Sequence, residues 1–221
     1  MAPSGPVAAR KRCHTCTRQI EQLQRHLSLG GQARLRYENY THLNFGAGKQ
    51  DTKVEWLLTH QAGVPIIDTP LTLEQVLAWD PVIEAIGEQE PQWVPGTAHG
   101  YHAVSYGWLV GEVIRRVTGK TVGAFFAEEI AEPLGLHTWI GLPHEHFQRV
   151  APFGELFDTD DPEAQAIIDT FLGPDMPIGR ALYGPGGVFR EEGLFNRPDV
   201  LAAEIPAANG VTTASSLAKA Y

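Results

Sequence analysis

Residues 93–119 read WVPGTAHGYHAVSYGWLVGEVIRRVTG and set a lone tyrosine, Tyr101, on a loop just ahead of an amphipathic helix. Trp108, Leu109, Val113, Ile114 and Val117 recur on one face at helical spacing, while Glu112, Arg115 and Arg116 fall on the other. Pro95 and Gly96 turn the chain before the helix, Ser105 is placed to cap its first free amides, and Gly119 stands where a left-handed residue ends it. The expectation is a phenol carried on a rigid helical base.

Upstream, a short helix over 54–60 is ended by Gly63 and Pro65, which puts His60 at a helix C-terminus. The partial negative charge there favours an imidazolium, and the reading gives His60 a structural role. Thr72 opens a second helix over 73–78, and Asp80-Pro81 caps a third over 82–86. Downstream, Thr121 caps a helix that buries Val122, Phe125, Phe126 and Ile130 until Pro133 stops it, so that two helices joined at Gly119-Lys120 form an αα-hairpin. Residues 144–193 are rich in glycine and proline and read as loops. His144 and His146 in HEHF diverge on an extended chain and read as a solvated loop rather than a metal pair. RALYGPGGVF at 180–189 lacks the G-K-[ST] ending and the helix of a phosphate loop.

Taken in order, LLTHQAG at 57–63, PGT at 95–97, Tyr101, the helix GWLVGEVIRRVTG, PLGL at 133–136 and the tail AEIPAANGVTTASSLAKAY at 203–221 carry a resemblance. From about Arg34 onward the chain resembles the serine β-lactamase-related family, which includes class C β-lactamases, penicillin-binding proteins and β-lactamase-like carboxylesterases. The resemblance implies an α+β fold of the β-lactamase/transpeptidase type, here mostly the helical lobe with long loops and an incomplete antiparallel sheet. It also implies acyl transfer through an acyl-serine, with an S-x-x-K helix supplying nucleophile and proton acceptor and a tyrosine from a second loop assisting as acid and base. A phenol normally titrates near 10, so it serves near neutral pH only beside ammonium groups or as a relay. Tyr101 matches that tyrosine. The loop-rich 144–193 stretch matches the lid that lines the substrate groove in such enzymes.

The two positions after the tyrosine, His102 and Ala103, fall on the substrate side. Many family members show Asn where Ala103 stands, using its amide to hold the substrate's amide. A methyl does not, which favours the esterase-like members, and His102 reads either as a polar substitute or as an exposed loop histidine.

The family's S-x-x-K belongs upstream of LLTHQAG, where only 56 residues precede Leu57 and the serines are Ser4 and Ser28. Neither has a lysine three positions on. The S-x-x-K that does occur, Ser216 to Lys219, lies downstream of Tyr101 in a segment resembling a surface helix of the family. The family's third motif, Lys or His followed by Ser/Thr and Gly, is not found. The reading is therefore a β-lactamase-related serine hydrolase homologue shortened at both ends, ancestrally an esterase-like acyl hydrolase and now inactive or weak. The alternative is a non-catalytic pseudoenzyme fragment that binds a ligand or partner. An exposed apolar face is expected to drive self-association.

Composition narrows the other classes. With 43% hydrophobic residues, 221 residues suffice for a core. The net charge of -9 is uneven: residues 1–36 hold seven Lys/Arg against Glu21, a balance of +6, leaving -15 for 37–221. An acidic body disfavours nucleic acid and anionic membrane surfaces. Cys13 and Cys16 form a CxxC near His14 and His26, but no second CxxC or paired histidine completes a zinc site, so neither metal nor cofactor is expected. No run approaches the ~18 apolar residues of a membrane span. MAPSGPVAARKR lacks an apolar h-region, and although its arginines leave an organelle-targeting role open, the default compartment is the cytoplasm. Residues 1–33 read as a basic, poorly ordered extension with one short pattern of Ile20, Leu23 and Leu27, and 34–221 as a partial β-lactamase-related domain.

Overall fold

The computed structural model describes residues 53–154 and 160–221, all within the second of the two units into which the chain divides, Arg34–Tyr221. The CxxC, Ser4, Ser28 and the 20–27 pattern lie outside the described residues. Helices dominate. In chain order they are α1 (Val54–Leu58), α2 (Leu73–Leu77), α3 (Asp80–Glu88), α4 (Ser105–Thr118) and α5 (Val122–Phe126), which runs through a π-helical segment (Ala127–Ala131) into α6 (Glu132–Leu134). Then follow α7 (Pro162–Leu172), α8 (Pro177–Leu182), α9 (Pro198–Ala202) and α10 (Ala214–Ala220). Among the described residues the sheet has two strands, β1 (Thr138–Trp139) and β2 (Val211–Thr212), antiparallel with Thr138 opposite Thr212. Thus an incomplete antiparallel sheet accompanies a mainly helical body.

The central prop is α4, packed against α1, α3 and α5. Trp108 and Leu109 are fully buried in a core shared with Leu57, Val64, Ile86 and Ile205. Each such side chain contributes about 1.5–3 kcal/mol by leaving water. Gly107 lets the helix approach the backbone of Ala207, since a Cβ there would come within 2.6 Å of its nitrogen. Val113 and Ile114 are half-buried and Val117 is exposed, so the expected apolar stripe is deep at its start and shallow at its end.

Three local expectations are corrected. Glu112 belongs not to a solvated face but to the interior, 1% exposed. Its carboxylate is compensated there by the Trp79 indole N–H at 3.0 Å and by Arg115 and Arg116, each at 2.7 Å. Ser105 does not cap α4, because the helix begins on it and its hydroxyl donates instead to the Val64 carbonyl at 2.8 Å. Asp80 is the first residue of α3 rather than its cap. The cap is Trp79, held at φ 68, and the Asp80 carboxylate pairs with Arg115 across to α4.

Other punctuation follows the sequence. Thr72 and Gln75 form a capping box on α2, Thr121 caps α5, and Gly119 ends α4 at φ 72. Pro133, however, does not end its helix. It sits inside the continuous helical run, two residues after the π-helical segment, and Gly135 at φ 59 ends the run. Along that run Val122 is buried, Phe125 and Phe126 are half-buried and Ile130 is exposed, because the π-helical turn rotates its face away from the core. HEHF forms a 3₁₀ turn over His144–Arg149, with His146 against the Trp139 ring at 4.7 Å. No described helix is long and apolar enough to cross a membrane. Replacing Glu112 by Ala should lower stability by about 2–3 kcal/mol through the lost indole partner and the vacated space, while Glu112→Gln, which keeps an acceptor for Trp79, should cost less; urea unfolding measures both.

Candidate active site

Tyr101 is 58% exposed, and the backbone that carries it is tied on both sides to residues 60–64. The Gly100 N–H donates to the His60 carbonyl at 3.1 Å, and the His102 N–H donates to His60 Nδ1 at 3.1 Å. Further bonds extend this seam: Gln92 N–H to the Gly63 carbonyl at 2.7 Å, Gly96 N–H to Gln61 at 3.0 Å, and the Trp93 indole to the Gln61 carbonyl at 3.3 Å. Gly63 makes the close approach feasible, at φ 83 with room for no side chain against the Trp93 carbonyl. LLTHQAG and the tyrosine loop are thus two halves of one clamp.

His102, expected in the groove or on an exposed loop, is only 1% exposed. Its ring is spent on the backbone, with Nε2 accepting from the Val64 N–H at 3.1 Å and Nδ1 facing the Gly100 carbonyl at 2.6 Å. An acceptor and a donor together require the neutral Nδ1–H tautomer. Burial pushes its pKa down to about 4, and His60 and His99 add to the lowering while the Gly100 carbonyl opposes it. Sequence reasoning also expected His60 to be favoured as an imidazolium. Its pKa is lowered instead, by burial and then by His99, and α1 ends at Leu58, before reaching His60.

In front of Tyr101 opens a groove of ≈ 700 Å³. Ala103 and Val104 form its floor beside the phenol, aromatic walls come from Tyr183, Phe189 and Phe195, and α7 closes one side with Ile168 and Leu172. Of the residues set on the substrate side, Ala103 lines the groove and His102 does not. Among its described lining residues there is no serine, threonine, cysteine or lysine. Ser216 and Lys219 lie elsewhere, on α10. Ser216 is 4% exposed, its Oγ accepting from the His137 N–H at 2.8 Å and from the Thr213 hydroxyl at 2.9 Å. No cluster of three or more metal-ligating side chains occurs among the described residues.

The family model described as Beta-lactamase matches residues 22–221, beginning before the resemblance seen from Arg34. The chain belongs to the β-lactamase family. Among its relatives, the esterase/β-lactamase LipL of Mycobacterium tuberculosis (strain ATCC 25618 / H37Rv) is 38% identical over 189 residues, 80% of this chain and 41% of its own length. EstA from Arthrobacter nitroguajacolicus Rue61a superposes with a TM-score of 0.71 at 28% identity, covering 93% of this chain and 51% of that one. A family VIII carboxylesterase does so at 0.54 and 35% identity, covering 75% and 41%. The fold is therefore the α+β, β-lactamase/transpeptidase-like one. This β-lactamase-family chain spans about half the length of these relatives or less.

The clamp makes its stability pH-dependent. Between about 4, where folded His102 takes its proton, and 6.5, its ordinary value, the unfolded chain binds more protons. This contribution is complete above the upper value and is lost as pH falls through the window. Urea unfolding should therefore show up to about 3 kcal/mol less stability toward the acid end, with the slope flattened in His102→Gln.

Proposed function

We propose that this chain carries the tyrosine side of an esterase-like acyl-hydrolase site, in which Tyr101 is the acid/base assistant and the adjoining groove takes a small ester or amide. The single observation that carries the reading is the exposed phenol at the mouth of an apolar-walled groove, on a loop clamped from both flanks. Ala103 supports the esterase side, because a methyl in the groove offers no hydrogen bond to a substrate amide. The names of LipL and the family VIII carboxylesterase point the same way.

The 221-residue chain by itself is inactive or weak on this reading. The described groove lacks a serine, threonine or cysteine nucleophile and an ammonium group; its charged lining is Asp169, Arg190 and Glu191, so the acyl-serine route has no alkoxide donor there. The companion reading, a non-catalytic fold that binds a ligand in the same groove, rests on that same lining. Exposed Ile167 and Phe171 on α7 and Phe153 nearby extend it to self-association, read as concentration-dependent sedimentation.

With p-nitrophenyl butyrate the 221-residue chain should turn over at or near background, and a fluorophosphonate probe should leave Ser216 unlabelled. Turnover well above background that is lost in both Tyr101→Phe and Ser216→Ala would overturn the inactive reading. A groove that neither binds nor cleaves the ester would overturn the substrate class.

A further inference from the structure

One residue touches both flanks of the tyrosine. The His60 carbonyl accepts from the Gly100 N–H and its imidazole Nδ1 from the His102 N–H, both at 3.1 Å, so one residue fixes the peptides on either side of Tyr101. Its ring also lies against the phenol, 5.3 Å between centroids, and against Tyr106 of α4 at 4.7 Å. To do this His60 adopts φ 58, one of two described non-glycine residues in the left-handed region, the other being Trp79. A strained backbone persists only where its surroundings over-determine it, and such strain gathers at functional sites. A glycine at this position would relieve the strain but forfeit both the acceptor and the ring.

We propose that His60 is the positioning residue for Tyr101, holding the phenol at the groove mouth through a neutral imidazole that accepts the His102 N–H. The proposal rests on the acid/base reading of Tyr101 and adds the device that aims it. Nδ1 performs this role only while unprotonated, since an imidazolium has no lone pair to accept with. The groups facing the ring are His99, Tyr101 and His102 from the loop and Tyr106 from α4, none of which carries a carboxylate. Burial and His99 both favour the neutral ring. Acid therefore releases the tyrosine loop locally, in addition to the loss of stability through His102.

The test is carried out on the 221-residue chain, with nuclear magnetic resonance of labelled tyrosine and backbone amides. His60→Gly suits the backbone angle and removes the imidazole. The expected result is on the order of tenfold faster exchange of the His102 amide, the loss of about one hydrogen bond, and averaging of the Tyr101 ring signal. His60→Asn, which tolerates the same backbone angle and offers an oxygen acceptor, should restore protection and, compared in a His102→Gln background so that the ring at 102 does not itself titrate, abolish the change in the residue-102 amide that lowering the pH otherwise produces. An unchanged Tyr101 ring signal and unchanged His102 protection in His60→Gly would overturn the proposal. If His60→Gly does not fold, failure of His60→Asn to remove the pH response in the His102→Gln background overturns it equally. Tyr101→Phe separates the two ideas, because it should leave His102 protection intact. If His102 protection is intact but the parent groove does not bind p-nitrophenyl butyrate at all, the functional reading of the groove fails while the positioning contact stands.

Discussion

A neutral imidazole is the constraint on which the tyrosine loop depends. His102 bridges the Val64 N–H and the Gly100 carbonyl from inside the protein, a pairing available only to the uncharged ring. Around it the 60–64 turn and the 92–102 loop join by main-chain bonds, and Ser105 continues the seam into the first turn of α4 by donating to Val64. The exposed Tyr101 is therefore mounted on a loop tied by hydrogen bonds to residues 60–64 on both of its flanks. Loop residues with this many buried polar partners hold a geometry that a free loop does not.

Much of the framework was legible in local chemistry. Thr72, Thr121 and Gly119 each act as their residue types dictate, since a threonine oxygen before a helix and a glycine at positive φ answer needs internal to a few residues, whereas Gly63, expected to end the first helix, stands beyond its Thr59 C-cap and spends its positive φ on the approach to Trp93. The failures are equally physical. Glu112 looked solvated because helical periodicity cannot see Trp79, which is distant in sequence and brings the donor that lets a carboxylate go inside. His102 looked like a surface histidine for the same reason: its partners sit at Val64 and Gly100, and only the first is remote. A signal did exist for His60, in the motif LLTHQAG, but the positive φ that joins its carbonyl and ring to the two flanks of Tyr101 leaves no trace in composition.

The candidate site was half legible. Tyr101 and Ala103 were marked by the resemblance to the β-lactamase-related family, and both stand at one groove. The stretch 144–193 was marked as groove-lining and supplies Tyr183 and Phe189, but these rings and Phe195 were not singled out, because they come from turns whose only sequence signature is glycine and proline. Ser216, the one serine with lysine three positions on, serves instead to knit α10 to the backbone at His137. A two-residue pattern cannot distinguish a nucleophile from a hydroxyl that fills a helix's first turn; the difference lies in what the oxygen touches.

The start of α5 depends on a residue far along the chain. Glu204 accepts from the Thr121 hydroxyl at 2.6 Å and from the Gly123 N–H at 2.8 Å, while Asn209 ties Ile205 to the carbonyls of Val200 and Ala203. On the ribosome, α4 and α5 therefore emerge long before the groups that complete them. The Trp108 indole shares its core with Ile205, so that core is complete only after residues 204–209 have arrived, and contacts of such sequence separation are the slow ones to form.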